Sequence, residues 1–190
     1  SEELAAWASH GVEGHFASQR PWVSYHEHVT GGLARLAGAK PIEVVSMNTL
    51  TVNLHLMLVS FYRPAGRRRK ILMESHAFSS DRYAIESQLR IHDIAPDDAL
   101  IVISPRPHET LLRTEDICAR IEHAGDELAT VMLPGVQYLP GQRFDLPAIV
   151  QAAHQIGATV GFDLAHAIGN VPLELHAWNV DFAVWCGYKY

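Results

Sequence analysis

The sequence predicts an α/β fold in which a mainly parallel sheet is covered by helices on both faces, a three-layer α/β/α sandwich. Short apolar runs alternate along the chain with helix-like segments. A strand that is apolar throughout is typical of a parallel sheet, because both of its faces are buried. The chain has 190 residues, of which 48% are hydrophobic and 19% charged, so it is long enough for one domain with a substantial core.

Two regions are expected along the chain. Residues 1–40 are predicted to be a mostly helical lead-in, with one helix over Glu2–Ser9 and another over Thr30–Ala37. Residues 41–190 are predicted to form the α/β domain itself. The chain opens without Met and stops one residue after Lys189, so we expect it to be an incomplete part of a longer protein.

From residue 41 the predicted elements follow a regular order. Five apolar runs are predicted strands: Lys70–Met73, Leu100–Ile103, Leu128–Leu133, Ala158–Phe162 and Asp181–Cys186. Five helices are predicted around them: Thr51–Tyr62, Ser79 to about His92, Thr114–His123, a helix from the cap Asp145 to the stop at Gly157, and Leu173–Trp178. Capping residues, proline and glycine at the ends of these segments support the bounds, with Ser79, Ser80 and Asp81 expected to cap their helix.

Charge and composition argue against several classes of protein. The formal net charge of −6 disfavours a nucleic-acid surface, and the basic run 67–70 is interpreted as a solvated loop, with a weak anion site as the alternative. The two cysteines are far apart and suit a reducing, cytoplasmic compartment. No signal peptide or apolar run of about 20 residues is visible, so no membrane span is expected. His26 and His28 have no third ligand nearby, so no metal site is expected.

Lys189 lies just beyond the last predicted strand, separated from it by Gly187 and Tyr188. That position is the carboxyl edge of the sheet, where open α/β folds bind their ligands. A desolvated amine there would be a usable nucleophile. A single lysine at the end of a strand is more often simply solvated, so this interpretation depends on other residues at the same edge.

A second candidate is the helix that starts near Thr51, after the turn Asn48–Leu50. Its first turn contains no acidic residue, so free N–H groups and the positive helix end could bind a phosphate, with Thr51 adding a hydroxyl. The alternative is that Thr49 or Thr51 is an ordinary cap. No Gly-rich loop ending in Gly-Lys-Ser/Thr is present, which disfavours a nucleoside triphosphate.

Asp163, followed by His166, comes directly after another predicted strand. A carboxylate facing a ring nitrogen would keep that nitrogen protonated and make the ring an electron sink. The alternative is that Asp163 caps the next turn. Phe78 could stack on a flat cofactor or could be a core aromatic. Together these residues describe a pocket for an aromatic aldehyde phosphate, and pyridoxal 5′-phosphate (PLP) fits all of them.

With these residues the chain resembles the kynureninases, fold type I PLP enzymes of the aminotransferase class V group. The resemblance runs over nearly the whole chain and is carried by six motifs in order: Gly14-His15 with Arg20-Pro21-Trp22, then 47–55, 77–88, 135–138, 161–167 and 185–190. The family's large domain has the fold predicted above, and its C-terminal small domain is expected to be lacking here. Family members are homodimers with active sites at the subunit boundary.

The resemblance also implies individual roles. Lys189 would be the Schiff-base lysine, and Tyr188 would bond the phosphate and act as a proton donor. The implied cofactor contacts are Leu50, Thr51, Phe78, Ser79, Ser80, Asp81, Asp163 and His166, and His15 would approach the aromatic end of the substrate. Pro134 stands where a serine beside the cofactor is expected, and Ser79 stands where proline is common.

The activity implied by the resemblance is hydrolysis of L-kynurenine or 3-hydroxy-L-kynurenine to an anthranilate and L-alanine, in tryptophan catabolism and NAD biosynthesis. Two alternatives remain open. The first is another fold type I PLP enzyme, such as a cysteine desulfurase or an aminotransferase, which would share Asp163, His166 and Lys189. The second is a non-catalytic α/β binding domain, which would bind no PLP.

Overall fold

The computed structural model describes residues 1–189, and its centre is one five-stranded sheet whose strands all run parallel. The strands are β1 (Lys70–Glu74), β2 (Leu100–Ile103), β3 (Leu128–Pro134), β4 (Thr159–Asp163) and β5 (Phe182–Val184). Their order across the sheet is β2-β1-β3-β4-β5, so the chain reverses its direction of winding after β2. Tyr190, the last residue of the sixth motif, lies outside the described residues.

Helices precede or connect these strands. They are α1 (Glu2–His10), α2 (Glu27–Ala37), α3 (Leu50–Phe61), α4 (Ser79–Ile91), α5 (Pro96–Ala99), α6 (Thr114–Ala124) and α7 (Leu146–Gln155). Four short 3₁₀ segments lie at Gly11–His15, Trp22–Ser24, Pro41–Glu43 and Gly125–Glu127. Within residues 1–189, no helix combines the length and the apolar composition needed to cross a lipid bilayer.

Strand side chains alternate between two separate cores, because successive residues of a strand point to opposite faces. On one face, Leu72 and Val160 pack with residues of α6 and α7, including Ile121. On the other face, Ile71 packs with residues of α3 and α4, including Leu54. Two helical layers therefore enclose the sheet, and the predicted three-layer α/β/α class is confirmed.

The predicted helix over Leu173–Trp178 is wrong, because this segment folds as irregular chain and turns. Its backbone instead pairs with the end of α2: the N–H groups of Leu175 and His176 donate to the carbonyls of Ala37 and Gly38, at 3.1 and 3.0 Å. Gly38 ends α2 with a φ of 60°, and a Cβ there would overlap the Leu173 carbonyl. The contact with α2 therefore replaces a local helix.

The last strand is also shorter than predicted, Phe182–Val184 instead of Asp181–Cys186. It pairs only with Gly161–Asp163 of β4, and β4 ends at Asp163. Residues after Val184 therefore have no neighbouring strand with which to pair. The side chain of Asp181, at the other end, accepts the Val160 N–H at 2.8 Å and contacts His154 at 2.8 Å.

The basic run before β1 is not simply a solvated loop. Arg68 is half-buried, and its guanidinium donates to the carbonyls of Leu128 and Ile156, at 2.7 and 2.8 Å. Lys70 pairs with Glu127 at 2.6 Å. The run therefore connects the start of β1 to β3 and to the end of α7. The charged groups of Arg68 and Lys70 bind oxygen atoms of the protein itself.

Candidate active site

A cavity of about 440 Å³ lies at the carboxyl edge of the sheet, where β1, β3 and β4 end and where α3 and α4 begin. Nine of the residues singled out from the sequence line it: Leu50, Thr51, Phe78, Ser80, Asp81, Asp163, His166, Tyr188 and Lys189. They come from distant parts of the chain. The parallel sheet brings them together because all of its strands end at the same edge.

The start of α3 lines this cavity at Leu50 and Thr51 and is the candidate for an anion site. Thr49 occupies the N-cap position without a capping side-chain hydrogen bond, and the first turn contains no acid. The preceding turn is held differently: Asn53 donates to the Met47 carbonyl at 2.7 Å and accepts from Asn48 at 3.2 Å. The helix end at Leu50 and Thr51 is therefore left open toward the cavity, with the positive end of a 12-residue helix behind it.

Asp81 and Asp163 form a buried carboxyl pair, and only 6% and 7% of their surfaces are exposed. Burial, followed by the charge of Asp163, raises the pKa of Asp81 to about 8. Burial raises the pKa of Asp163 as well, but the Ala165 N–H, which donates to its carboxylate at 2.7 Å, opposes this rise. At neutral pH the proton therefore lies on Asp81, which donates to an ionised Asp163.

Lys189 lies close enough to the same acids to interact with both. Its Nζ is 3.4 Å from Nε2 of His166, and its charge lowers the pKa of both Asp81 and Asp163. The ring of Tyr188 is nearby, with its centroid 5.9 Å from Nζ. The amine, the carboxyl pair and the open helix end therefore share one cavity, which is the arrangement expected from the sequence.

Phe78 forms an aromatic wall of the cavity together with Tyr138. Their rings meet edge to face, with centroids 5.4 Å apart and planes at 84°. Phe78, and not a serine, is the N-cap residue of α4, so the expectation that Ser79 to Asp81 cap the helix is wrong; they form its first turn. Ser80 donates to Asp81 at 3.3 Å, whereas the side chain of Ser79 is outside the cavity lining. Pro134 ends β3 and lines the cavity.

The structure does not bring His15 into this cavity. His15 ends the 3₁₀ segment Gly11–His15, and its ring lies edge-on against Trp22, with centroids 5.3 Å apart. Gly14 is buried here, and a Cβ on it would lie 2.7 Å from the Trp22 ring. In this chain His15 therefore belongs to an aromatic cluster in the N-terminal region.

Sequence reasoning missed Glu74 and Tyr138 as lining residues. Glu74 carried a usable signal, since it is a single acid at the end of an apolar run, as Asp163 is. Tyr138 carried none, because an aromatic in a loop does not indicate its contacts. No group of three or more His, Cys, Asp or Glu side chains in the described part of the chain is arranged to hold a metal ion.

Comparison with known proteins decides the family. Residues 25–190 match the family described as aminotransferase class-V. The chain belongs to the aminotransferase class-V family. Among its similar class-V relatives are the kynureninase of Myxococcus xanthus, 59% identical over 189 residues, and that of Salinispora tropica, 55% identical over 188 residues. The two alignments cover 100% and 99% of this chain and 44% of each relative, so the chain spans less than half the length of these relatives. The resemblance drawn from the motifs is confirmed.

Solved structures show the same fold. An apo cysteine desulfurase from Thermococcus onnurineus NA1 superposes with a TM-score of 0.73 at 18% identity, over 98% of this chain and 46% of that one. An alanine–glyoxylate aminotransferase from Nostoc sp. gives a TM-score of 0.64 at 17% identity, over 85% and 40%. At these identities the likeness concerns the fold alone.

Proposed function

We propose that the protein containing this chain is a PLP-dependent kynureninase, which hydrolyses L-kynurenine or 3-hydroxy-L-kynurenine to the corresponding anthranilate and L-alanine. The observation that carries the proposal is the convergence of Lys189, the Asp81–Asp163 pair and the open start of α3 on one cavity. Relatives 52–59% identical over the whole chain bear the name kynureninase, whereas the cysteine desulfurase likeness is limited to the fold.

The residues present fit PLP. Its phosphate would be held by the N–H groups at Leu50 and Thr51, because a helix N-terminus attracts an anion. Its ring would lie against Phe78, and its aldehyde carbon would be within reach of the Lys189 amine. When bound, PLP would supply an electron-withdrawing ring that stabilises negative charge on the substrate's α-carbon. Ser79, Ser80 and Tyr188 are further proposed contacts, Tyr188 on the phosphate.

The carboxyl pair has a defined task in this proposal. Asp163, kept ionised by the Ala165 N–H and by the proton of Asp81, would accept a hydrogen bond from a protonated ring nitrogen. Asp81 would hold Asp163 in place without adding a second negative charge to the cavity. His166, beside the Lys189 amine, would orient it from the other side. In this proposal the cavity would therefore present a single carboxylate anion, that of Asp163, to the ring nitrogen.

Lys189 and Tyr188 would carry the proton transfers. The Lys189 amine would act as the general base that removes the substrate's α-proton and as the general acid that returns a proton. After water has added to the γ-carbonyl, the Cβ–Cγ bond would break with its electron pair going to the β-carbon, and Tyr188 would donate a proton to that carbon. His15 remains proposed for the aromatic end of the substrate, although its ring packs on Trp22 in this chain.

We further propose a cytoplasmic homodimer acting in tryptophan catabolism and NAD biosynthesis. Support for an interface comes from the outer face of α3, where Val52, Leu56 and Val59 are 46%, 42% and 52% exposed. Apolar side chains that recur at this helical spacing on a surface favour a covered face. Support for a reducing compartment comes from Cys118 and Cys186, which are both free thiols.

The test compares Lys189→Ala with Lys40→Ala, a lysine outside the cavity, in the complete natural protein. Wild type and Lys40→Ala should bind PLP with a visible absorbance band, retain it covalently after borohydride reduction, and release anthranilate from kynurenine. Lys189→Ala should lose all three. Sulfide release from cysteine would favour the desulfurase alternative, and a colourless wild-type protein would favour the binding domain. Retention of turnover in Lys189→Ala would remove Lys189 from the mechanism.

A further inference from the structure

Gln137 is a buried residue next to the aromatic wall of Phe78 and Tyr138, and it has no part in the chemistry above. It is 2% exposed, and it is not among the residues that line the cofactor cavity. Its amide is bonded at both ends: Nε2 donates to the His76 carbonyl at 2.9 Å, and Oε1 accepts the Leu139 N–H at 2.6 Å. The side chain of Gln137 therefore binds the protein's own backbone.

The hydrogen bond to His76 joins the two segments that carry the rings of the wall. His76 precedes Phe78 by two residues, in the segment 75–78 between β1 and α4. Tyr138 lies in residues 135–142, called the 135–142 loop here. Among residues 1–189, this is the one hydrogen bond between the segment and the loop. The position of one ring relative to the other therefore depends on a single amide.

The 135–142 loop is also anchored at both of its ends, to other parts of the fold. At its start, the Gly135 N–H donates to the Asp163 carbonyl at 2.8 Å. At its end, the Gln142 side chain accepts the Leu112 N–H at 3.0 Å and donates to the Leu112 carbonyl. These bonds hold the loop as a whole, but none of them reaches the segment that carries the other ring. Gln142 is therefore an amide of the same kind in the same loop, bonded to a different segment.

We propose that Gln137 is a positioning residue that fixes Tyr138 against Phe78, so that the aromatic wall is already formed before PLP binds. The two rings are 42% and 50% exposed, so much of their surface has no protein contact to hold it. A wall that is held in place beforehand loses less conformational freedom when a flat ring binds to it, and binding is then tighter. The cofactor part of the inference rests on the proposed function, whereas the contact between the two rings does not.

The experiment uses the complete protein with and without PLP, and four variants. Gln137→Met removes both side-chain bonds at a similar side-chain length. Gln137→Asn is more selective, because asparagine can still accept the N–H two residues ahead but is one methylene too short to keep the bond to the His76 carbonyl. Tyr138→Ala removes the ring itself. Gln142→Met is the matched control, because it frees the same loop at its Leu112 end.

Two quantities are measured: the Kd for free PLP, and the nuclear Overhauser contact between the labelled rings of Phe78 and Tyr138 in the cofactor-free protein. Loss of the buried bond to His76 predicts that Gln137→Met and Gln137→Asn each raise the Kd about tenfold and lose the ring contact. Tyr138→Ala should raise the Kd similarly, and adding it to Gln137→Asn should raise it no further. Gln142→Met should keep the ring contact and a Kd within about twofold of wild type, because its bonds are independent of the wall.

A wild-type Kd or a retained ring contact in Gln137→Asn overturns the proposal. An equal loss of PLP affinity in Gln142→Met also overturns it, because a loosened loop would then be a sufficient explanation. If Gln137→Met fails to fold, Gln137→Asn still decides, since it keeps the bond to the Leu139 N–H. If the wild-type protein binds no PLP, the proposed function fails on its own, and the ring contact in the cofactor-free variants tests the role of Gln137 separately.

Discussion

Replacing Asp81 with asparagine tests where the proton of the carboxyl pair resides. The pKa of Asp81 is raised to about 8, mainly by burial and then by the charge of Asp163. Asparagine has nearly the same shape, cannot ionise, and can still donate to Asp163 through Nδ2–H. The variant should therefore keep the geometry of the pair and lose only its titration.

The expected size follows from proton linkage. An unfolded aspartate titrates near a pKa of about 3.9, so between about pH 4 and about pH 8 the folded protein holds a proton that the unfolded chain has released. This contribution to stability is fully present below about pH 4 and is lost as the pH rises toward the folded pKa of about 8. One proton corresponds to about 1.4 kcal/mol per pH unit, so wild type should lose about 2.7 kcal/mol relative to Asp81→Asn between about pH 5 and about pH 7.

The assay is chemical denaturation of the cofactor-free protein at several pH values, comparing wild type, Asp81→Asn and Asp116→Asn. The free energy of unfolding of Asp81→Asn minus that of wild type should rise with pH. Asp116 is the control, because its bond with Arg106 lowers its pKa and both states are ionised in this range. If the difference for Asp81→Asn is flat, folded Asp81 holds no extra proton in this pH range and the assignment of charges in the cavity is refuted.

Two further substitutions test the fold. Gly161→Ala places a Cβ into the ring of Phe182, and this overpacking should lower the free energy of unfolding by about 1–3 kcal/mol, less in a Phe182→Leu background; equal losses in both backgrounds would contradict the overlap. Arg68→Met removes two charge-assisted bonds to backbone carbonyls and should cost about 2–4 kcal/mol in thermal or chemical denaturation, whereas the exposed Arg67→Met should cost under about 1 kcal/mol; similar losses for both would show that the bonds of Arg68 are not structural.

The strands and most helices could be predicted because their signals are local. Each strand is a largely apolar run, and most of the correctly predicted helices have a capping residue, proline or glycine near an end. Leu173–Trp178 has the composition of a helix, yet the N–H groups of Leu175 and His176 bind the end of α2, 138 residues earlier in the chain. The local sequence does not show that the end of α2 will compete for these N–H groups, and this element was therefore predicted wrongly.

The candidate site was likewise predictable only where its signals are local. Asp163 and Lys189 follow parallel strands that end at one edge of the sheet, so residue type and position after a strand were sufficient to expect them there. Thr51 was singled out by a different local signal, a helix start with no acidic residue in its first turn. The protonation state of each carboxyl was not predictable, because it depends on the burial of the group and on its hydrogen-bond partners. Asp81 and Asp163 are the same residue type and similarly buried, yet only Asp163 receives the backbone N–H of Ala165. That hydrogen bond is the largest of the effects that lower the pKa of Asp163, and we therefore expect Asp163 to be the anion of the pair and Asp81 to stay protonated.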